Sequence, residues 1–250
     1  MININRAFSY PFGDEEWPIK ILIGAAISAC PIANFISVGY MYKIFKSVLN
    51  GGEPYLPEWD DFKELFFQGL WLFLIGLCYI VPPMIVGSFG MTVLFIGVLV
   101  LFAKVSVGVT IVIIGVSILA VSFFLVMLIA FLYPMAVANY AKGDENYTDA
   151  FRIFDIFKRI LKVFGDYIIA FVVIYAAVFA MLALLVFPLL GIMFSIVSIF
   201  FAFYISYLLW PALFGSACAN AFEGDTAPKT ALKQRRPAKK EPAKKGRKSK

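Results

Sequence analysis

Ionised side chains fall in clusters along this chain, and between the clusters lie runs with no Asp, Glu, Lys or Arg at residues 21–42, 65–103, 105–141 and 167–222. A helix rises ~1.5 Å per residue and the hydrocarbon core of a bilayer is ~30 Å thick, so one crossing takes ~20 apolar residues. The runs hold about five to seven membrane segments, with about six the best fit. Backbone amides in hydrocarbon must be satisfied within their own segment, and the polar–apolar alternation of barrel strands is absent, so the segments are helices. The pattern predicts an all-α fold, a polytopic transmembrane helical bundle with interfacial amphipathic helices.

Residues 1–20 mix Phe8, Tyr10, Phe12 and Trp17 with Asp14, Glu15 and Glu16, which suits the headgroup layer. The first apolar run follows acids, with no basic leader and no A-x-A-like cleavage site, so it is membrane structure and not a removed signal. Pro31 and Asn34 within it permit one kinked crossing or a short helical hairpin turning at Cys30-Pro31-Ile32-Ala33-Asn34. Asn50-Gly51-Gly52 is a helix stop, and the stretch from Glu53 to Asp61, with Trp59 at the interface, is a turn into the next helix.

The second run is expected to break at Pro82-Pro83 and Gly87 or Gly90, giving one crossing over Leu65–Val81 and a shorter segment over Met91–Ala103. Lys104 interrupts the apolar run and snorkels to an interface. Val107–Tyr140 makes a full crossing plus a turn or more. In residues 148–164, Arg152, Asp155, Arg159 and Lys162 share one stripe of a helix and Phe151, Phe154, Phe157, Ile160, Leu161 and Phe164 fill the rest. Such a helix lies along the membrane surface or packs on the protein's own helices. The last run divides at Pro188 and Gly191 into an antiparallel pair, Tyr167–Phe187 and Ile192–Phe222. Gly52-Glu53-Pro54-Tyr55 is echoed by Asp144-Glu145-Asn146-Tyr147, and Tyr133-Pro134 leading to Asn139 is echoed by Trp210-Pro211 leading to Asn220.

Composition agrees with lipid as the solvent: 62% of residues are hydrophobic and 15% charged, against roughly 45 to 50% and 25% for a soluble domain. The net charge of +6 divides unevenly, because residues 226–250 hold eleven Lys or Arg against Glu241 alone, +10, and leave −4 for residues 1–225. The domain plan is thus an interfacial segment at 1–20, a transmembrane domain at 21–222 and a disordered basic tail at 223–250, whose Pro, Ala and Lys cannot bury enough surface to fold. Loop 142–166 and the tail carry the most Lys and Arg, which places both on the cytoplasmic side of the cell membrane. The segment 43–64, with three lysines and five acids, fits either side.

The residues Tyr10-Pro11-Phe12, Trp17, Pro31-Ile32-Ala33-Asn34-Phe35, Gly39-Tyr40 and Leu56-Pro57-Glu58-Trp59-Asp60-Asp61 resemble a family of prokaryotic integral membrane proteins catalogued as a domain of unknown function. Beyond residue 70 the resemblance rests on general layout, and the tail lies outside it. It implies a small polytopic membrane protein and supplies no catalytic residues.

Chemistry is sparse. Cys30, Cys78 and Cys218 sit in uncharged runs and are expected as packed free thiols; with no histidine and no C-x-x-C pair, no metal site and no cofactor are expected. No P-loop, H-E-x-x-H, G-x-S-x-G or G-x-G-x-x-G occurs, so no catalytic residues are assigned and the chain reads as a non-enzyme. Asp60 and Asp61 read as helix-start acids, and Asp166 lies at another helix start. The reading favoured is a non-enzymatic membrane component that meets membrane lipids, other membrane proteins or a second copy of the chain; the alternative is a small transporter for an apolar or lipid-like substrate. Arg152, Arg159, Lys162, Trp17 and Trp59 are its interfacial residues. Lys239, Lys240, Lys244, Lys245, Arg247, Lys248 and Lys250 of the tail fit anionic phospholipid or ribosomal RNA, by charge and without specific nucleic-acid recognition.

Overall fold

The computed structural model describes residues 4–143, 145–185 and 203–222. It is all-helical there. The order is α1 (Ile4–Ser9), a 3₁₀ turn (Tyr10–Gly13), α2 (Trp17–Ser28), α3 (Asn34–Leu49), α4 (Phe62–Leu101), α5 (Val105–Lys142), α6 (Tyr147–Ala150), α7 (Ile153–Lys162) and α8 (Phe164–Leu185). A π-turn (Tyr204–Leu209), α9 (Trp210–Ala219) and a 3₁₀ turn (Asn220–Phe222) follow.

Local signals set several boundaries. At the end of α3, Gly52 N–H bonds Ser47 O and Gly51 N–H bonds Val48 O, both at 3.0 Å, while Gly51 takes φ 83°. This is the left-handed stop that Asn50-Gly51-Gly52 announces. Asp61 caps α4, its carboxylate accepting from Glu64 N–H at 3.1 Å, as helix-start acids do. The first apolar run is a hairpin: α2 and α3 run antiparallel, with Ser37 Oγ donating to Gly24 O at 3.5 Å.

The long pair α4 and α5, 40 and 38 residues, forms an antiparallel hairpin about 60 Å long with Lys104 exposed at its turn. Pro83, Gly90 and Gly97 recur every seventh residue on α4, and Gly108, Gly115 and Ser122 do so on α5; all are buried in the mutual face. A Cβ on Gly97 would stand 2.7 Å from Val112 N, and one on Gly115 2.6 Å from Leu94 N. Small residues let two backbones touch, which is how helices associate where lipid removes the hydrophobic drive between them.

This overturns the expected break in the second run. Pro82 and Pro83 lie inside a continuous helix, and Gly87 and Gly90 serve contact with Ser122 and Ile118 instead of stopping it. Two missing N–H donors cost less than a stop, which would strand several carbonyls and amides in hydrocarbon. Ser122 Oγ also donates to Pro83 O at 2.8 Å across the pair.

The predicted helix over 148–164 is likewise divided. Ala150 is fully buried and its carbonyl accepts the Tyr79 hydroxyl at 2.5 Å, while Phe151 stacks on Tyr79 at 5.5 Å. These contacts hold α6 against α4, and the chain turns at Phe151–Arg152 before α7 begins.

Three described helices are long and apolar enough to cross a membrane: α4, α5 and the stretch Tyr204–Phe222. The pair α7–α8, bent by 93°, makes a fourth if it is one span. The separate shorter segment expected over Met91–Ala103 is absent because α4 continues unbroken to Leu101. The expected break at Pro188 and Gly191 lies outside the described residues. At the centre, Tyr42, Phe45, Met135, Tyr167 and Phe214 are almost wholly buried, and Tyr167 donates to Phe131 O at 2.6 Å.

Candidate lipid-facing interface

Helix α7 shows three faces. Ile156 and Ile160 are buried against the bundle. Beside them Phe157, Leu161 and Phe154 form an open ridge, Phe154 at 92% exposure. The third face carries Arg152, Asp155, Arg159 and Lys162. The turn at Val163 sets this helix at 93° to apolar α8, so it lies across the axis of the apolar helix that follows it. An amphipathic helix in that attitude puts its ridge among acyl chains and its charges among headgroups. The packing reading of residues 148–164 is met at Ile156 and Ile160, and the exposed ridge is what the membrane-surface reading would use.

The charges on α7 also have internal work. The Arg159 guanidinium lies 4.0 Å over the Phe222 ring and donates to Asn139 Oδ1 at 3.0 Å, where Asn139 is buried. Lys162 donates to Ala221 O at 3.2 Å, and Arg152 pairs with Asp149 at 3.2 Å. Next to them Asn220 Nδ2 donates to Asp166 Oδ2 at 3.1 Å in the first turn of α8. Arg159 and Lys162 thus fasten the end of α9 to α5 and α7, a tie with no local sequence signal apart from the Asn139 and Asn220 echo.

The two tryptophans expected at the interface behave differently. Trp59 stacks on Tyr40 at 4.0 Å and donates from Nε1 to Lys20 O at 3.1 Å, so it braces the α2–α3 hairpin. Trp17 is half-buried, packs against the small core around Ile21, Ala25 and Tyr40, and meets the Phe12 ring edge-on at 5.0 Å. Between them lies a triad not anticipated from sequence: Lys20, its side chain 6% exposed, bonds Asp14 at 2.8 Å and Glu58 at 2.5 Å. The hydrogen bond from Lys20 holds the Asp14 carboxyl below its ordinary value against the opposing effect of desolvation. Burial alone would lower the Lys20 ammonium, but the two carboxylate bonds outweigh it and the net shift is upward.

Lys46 of α3 meets Glu145 after α5 at 2.6 Å, and Lys142 donates to Asn50 at 2.9 Å. The two echoing turns therefore lie side by side, and residues 43–64 share one end of the bundle with residues 142–166. Deeper in the bundle, a cleft of about 450 Å³ opens between α4, α5, α8 and α9, lined by Ile80, Ile129, Tyr133, Phe171, Tyr175 and Trp210 among others. Its volume falls within the usual ~300–1,000 Å³ of small-molecule sites.

Cys30, Cys78 and Cys218 are free thiols, but only Cys218 is packed; Cys30 and Cys78 are exposed on the outside of the bundle. Among the described residues no group of His, Cys, Asp and Glu is placed to hold a metal ion. The basic tail residues from Lys239 to Lys250 lie outside the described residues.

A family model described as a protein of unknown function, DUF4013, matches residues 22–187. The chain belongs to the DUF4013 family. The match starts beyond Tyr10-Pro11-Phe12 and Trp17 and runs through α3 to α8, well past residue 70, where the resemblance rested on layout alone. No curated protein and no solved structure matches the chain.

Proposed function

We propose that this member of DUF4013 is a non-enzymatic component of the cell membrane that acts by contact with lipid, with partner membrane proteins or with both. The open ridge of Phe154, Phe157 and Leu161 on α7, set across the direction of α8, carries the reading. Large rings so exposed on a helix with buried Ile156 and Ile160 need an apolar neighbour outside the chain. The polar end of the bundle, with Lys43, Lys46, Lys142, Arg152, Lys158, Arg159 and Lys162, is its cytoplasmic end by the positive-inside rule. The tail lies on the same side, held by anionic phospholipid at ~1 kcal/mol per basic residue or by ribosomal RNA.

The test is a nitroxide on Phe154→Cys in full-length protein carrying Cys30→Ala and Cys78→Ala, reconstituted in vesicles. The label is expected to collide more with oxygen than with a water-soluble nickel chelate. Preference for the chelate, or protection from both, would reject lipid as the ridge's neighbour.

The cleft of about 450 Å³ favours a second reading, a small transporter for an apolar or lipid-like substrate. Mild-detergent preparations free of bound lipid by native mass spectrometry, together with no flux after reconstitution, would reject it.

A further inference from the structure

We infer that the α2–α3 hairpin is re-entrant: it dips into the acyl chains of one leaflet with its turn foremost and returns to the face it came from. The inference rests on the membrane reading above. Arms of 12 and 16 residues span about 18 and 24 Å, each short of the ~30 Å hydrocarbon core.

Both arms are moored in water at the same end. Lys20, at the start of α2, is held by Asp14 and Glu58, and Lys46, near the end of α3, is held by Glu145. Arg6 pairs with Glu53 across the same opening. Trp59, bonded to Lys20 O and stacked on Tyr40, fixes the arms in antiparallel register above the Ser37–Gly24 contact.

The turn has the reverse polarity of a hairpin turn in water. Ala29, Cys30, Pro31 and Ile32 are all exposed, Ile32 at 71%, and no charge occurs between Lys20 and Lys43. The polar side chains flanking the turn point inward: Ser28 Oγ donates to Ala25 O at 2.9 Å, and Asn34 Oδ1 accepts the Tyr207 hydroxyl at 2.5 Å. Turns in water carry polar residues and solvate them. This one turns its polar groups away and offers apolar side chains to its surroundings, as hydrocarbon demands.

Cys30 reports the outcome directly, since a charged maleimide labels only a thiol that water can reach. The full chain with Cys78→Ala is reconstituted in sealed vesicles, with Asp60→Cys and Lys104→Cys marking the two ends and Cys30→Ala giving the blank. Ile32→Cys in a Cys30→Ala, Cys78→Ala chain reads the turn a second time. A sulfonated, impermeant maleimide is expected to leave Cys30 and Ile32→Cys unlabelled from both sides until detergent is added. Labelling from the side of Lys104→Cys would show a crossing, and labelling from the side of Asp60→Cys a hairpin lying in water; either overturns the proposal. Release of the chain from vesicles by alkaline wash would overturn the membrane reading and the hairpin with it, whereas retention with labelled Cys30 overturns the hairpin alone.

Discussion

Lys46 and Glu145 stand 99 residues apart in the chain and 2.6 Å apart in space. Glu145 holds φ 60°, a left-handed conformation unusual for a residue with a Cβ, and its carboxylate also accepts the Tyr42 hydroxyl at 3.3 Å. The contact joins the end of α3 to the turn after α5. It is also what shows that residues 43–64 and 142–166 share a face.

Both side chains of this pair are more than a third exposed, so its strength is screened. A double-mutant cycle with Lys46→Met and Glu145→Gln is expected to give a coupling of about 0.5 kcal/mol in low salt, falling as salt is added. Chemical denaturation in detergent at two ionic strengths measures it. A coupling above ~2 kcal/mol would mean the pair is far better shielded than its exposure allows.

The Asp14–Lys20–Glu58 triad makes stability depend on pH in a stated direction. Asp14 titrates below the ordinary carboxyl value of 3.8 when folded, so the stability it lends is present above that pH and is lost as pH falls through the lower, folded value. Lys20 titrates above 10.5 when folded, so its share is present below that pH and fades as pH rises beyond it. Lys20→Met is expected to cost ~1–2 kcal/mol at neutral pH and to flatten the acid limb of the melting-temperature profile. An acid limb unchanged in the variant would remove Asp14 from that role.

Packing of α4 on α5 is the most sensitive to volume. Gly115→Val would drive carbon into the backbone of Leu94 and is expected to cost ~3 kcal/mol or more, while Gly165→Ala, which meets nothing within 4 Å, is expected to be neutral or slightly stabilising. Thermal unfolding in mild detergent compares the two. Equal melting temperatures would mean that the helices are farther apart than the structure has them.

Arg159 is not replaceable by another cation. Its planar guanidinium covers the Phe222 ring and reaches Asn139 at once, and Arg159→Lys is expected to lose ~1–2 kcal/mol, more than Lys162→Arg, which keeps a donor for Ala221 O. The measurement is again the unfolding midpoint, with protease cutting after residue 222 as a second readout of the end of α9.

How far the sequence foretells this fold depends on the range of the interaction. The uncharged runs, the Asn50-Gly51-Gly52 stop and the Asp61 cap are local, and each is legible within a few residues. Pro82-Pro83 misleads, because a rule drawn from helices in water has no counterpart where a stop strands amides in lipid. Whether residues 21–42 cross or turn back is not legible locally for a different reason: the deciding bonds run from Lys20 to Glu58 and from Trp59 back to Lys20. Three of the residues assigned to the interface have internal contacts that no local pattern announces. Trp59, Arg159 and Lys162 hold the bundle together, and the open ridge belongs to Phe154, Phe157 and Leu161, which the sequence pattern marks only as the apolar filling of the helix.

The length of the α4–α5 pair has a consequence for the surrounding lipid. At an ordinary lean of ~20° from the bilayer normal, a pair about 60 Å long projects barely shorter than when upright, so close to half of it would pass beyond a ~30 Å layer. Steeper inclination, or local swelling of the membrane around it, relieves that mismatch at a cost of fractions of a kcal/mol per Å. The molecule should accordingly gather in the thickest bilayers open to it.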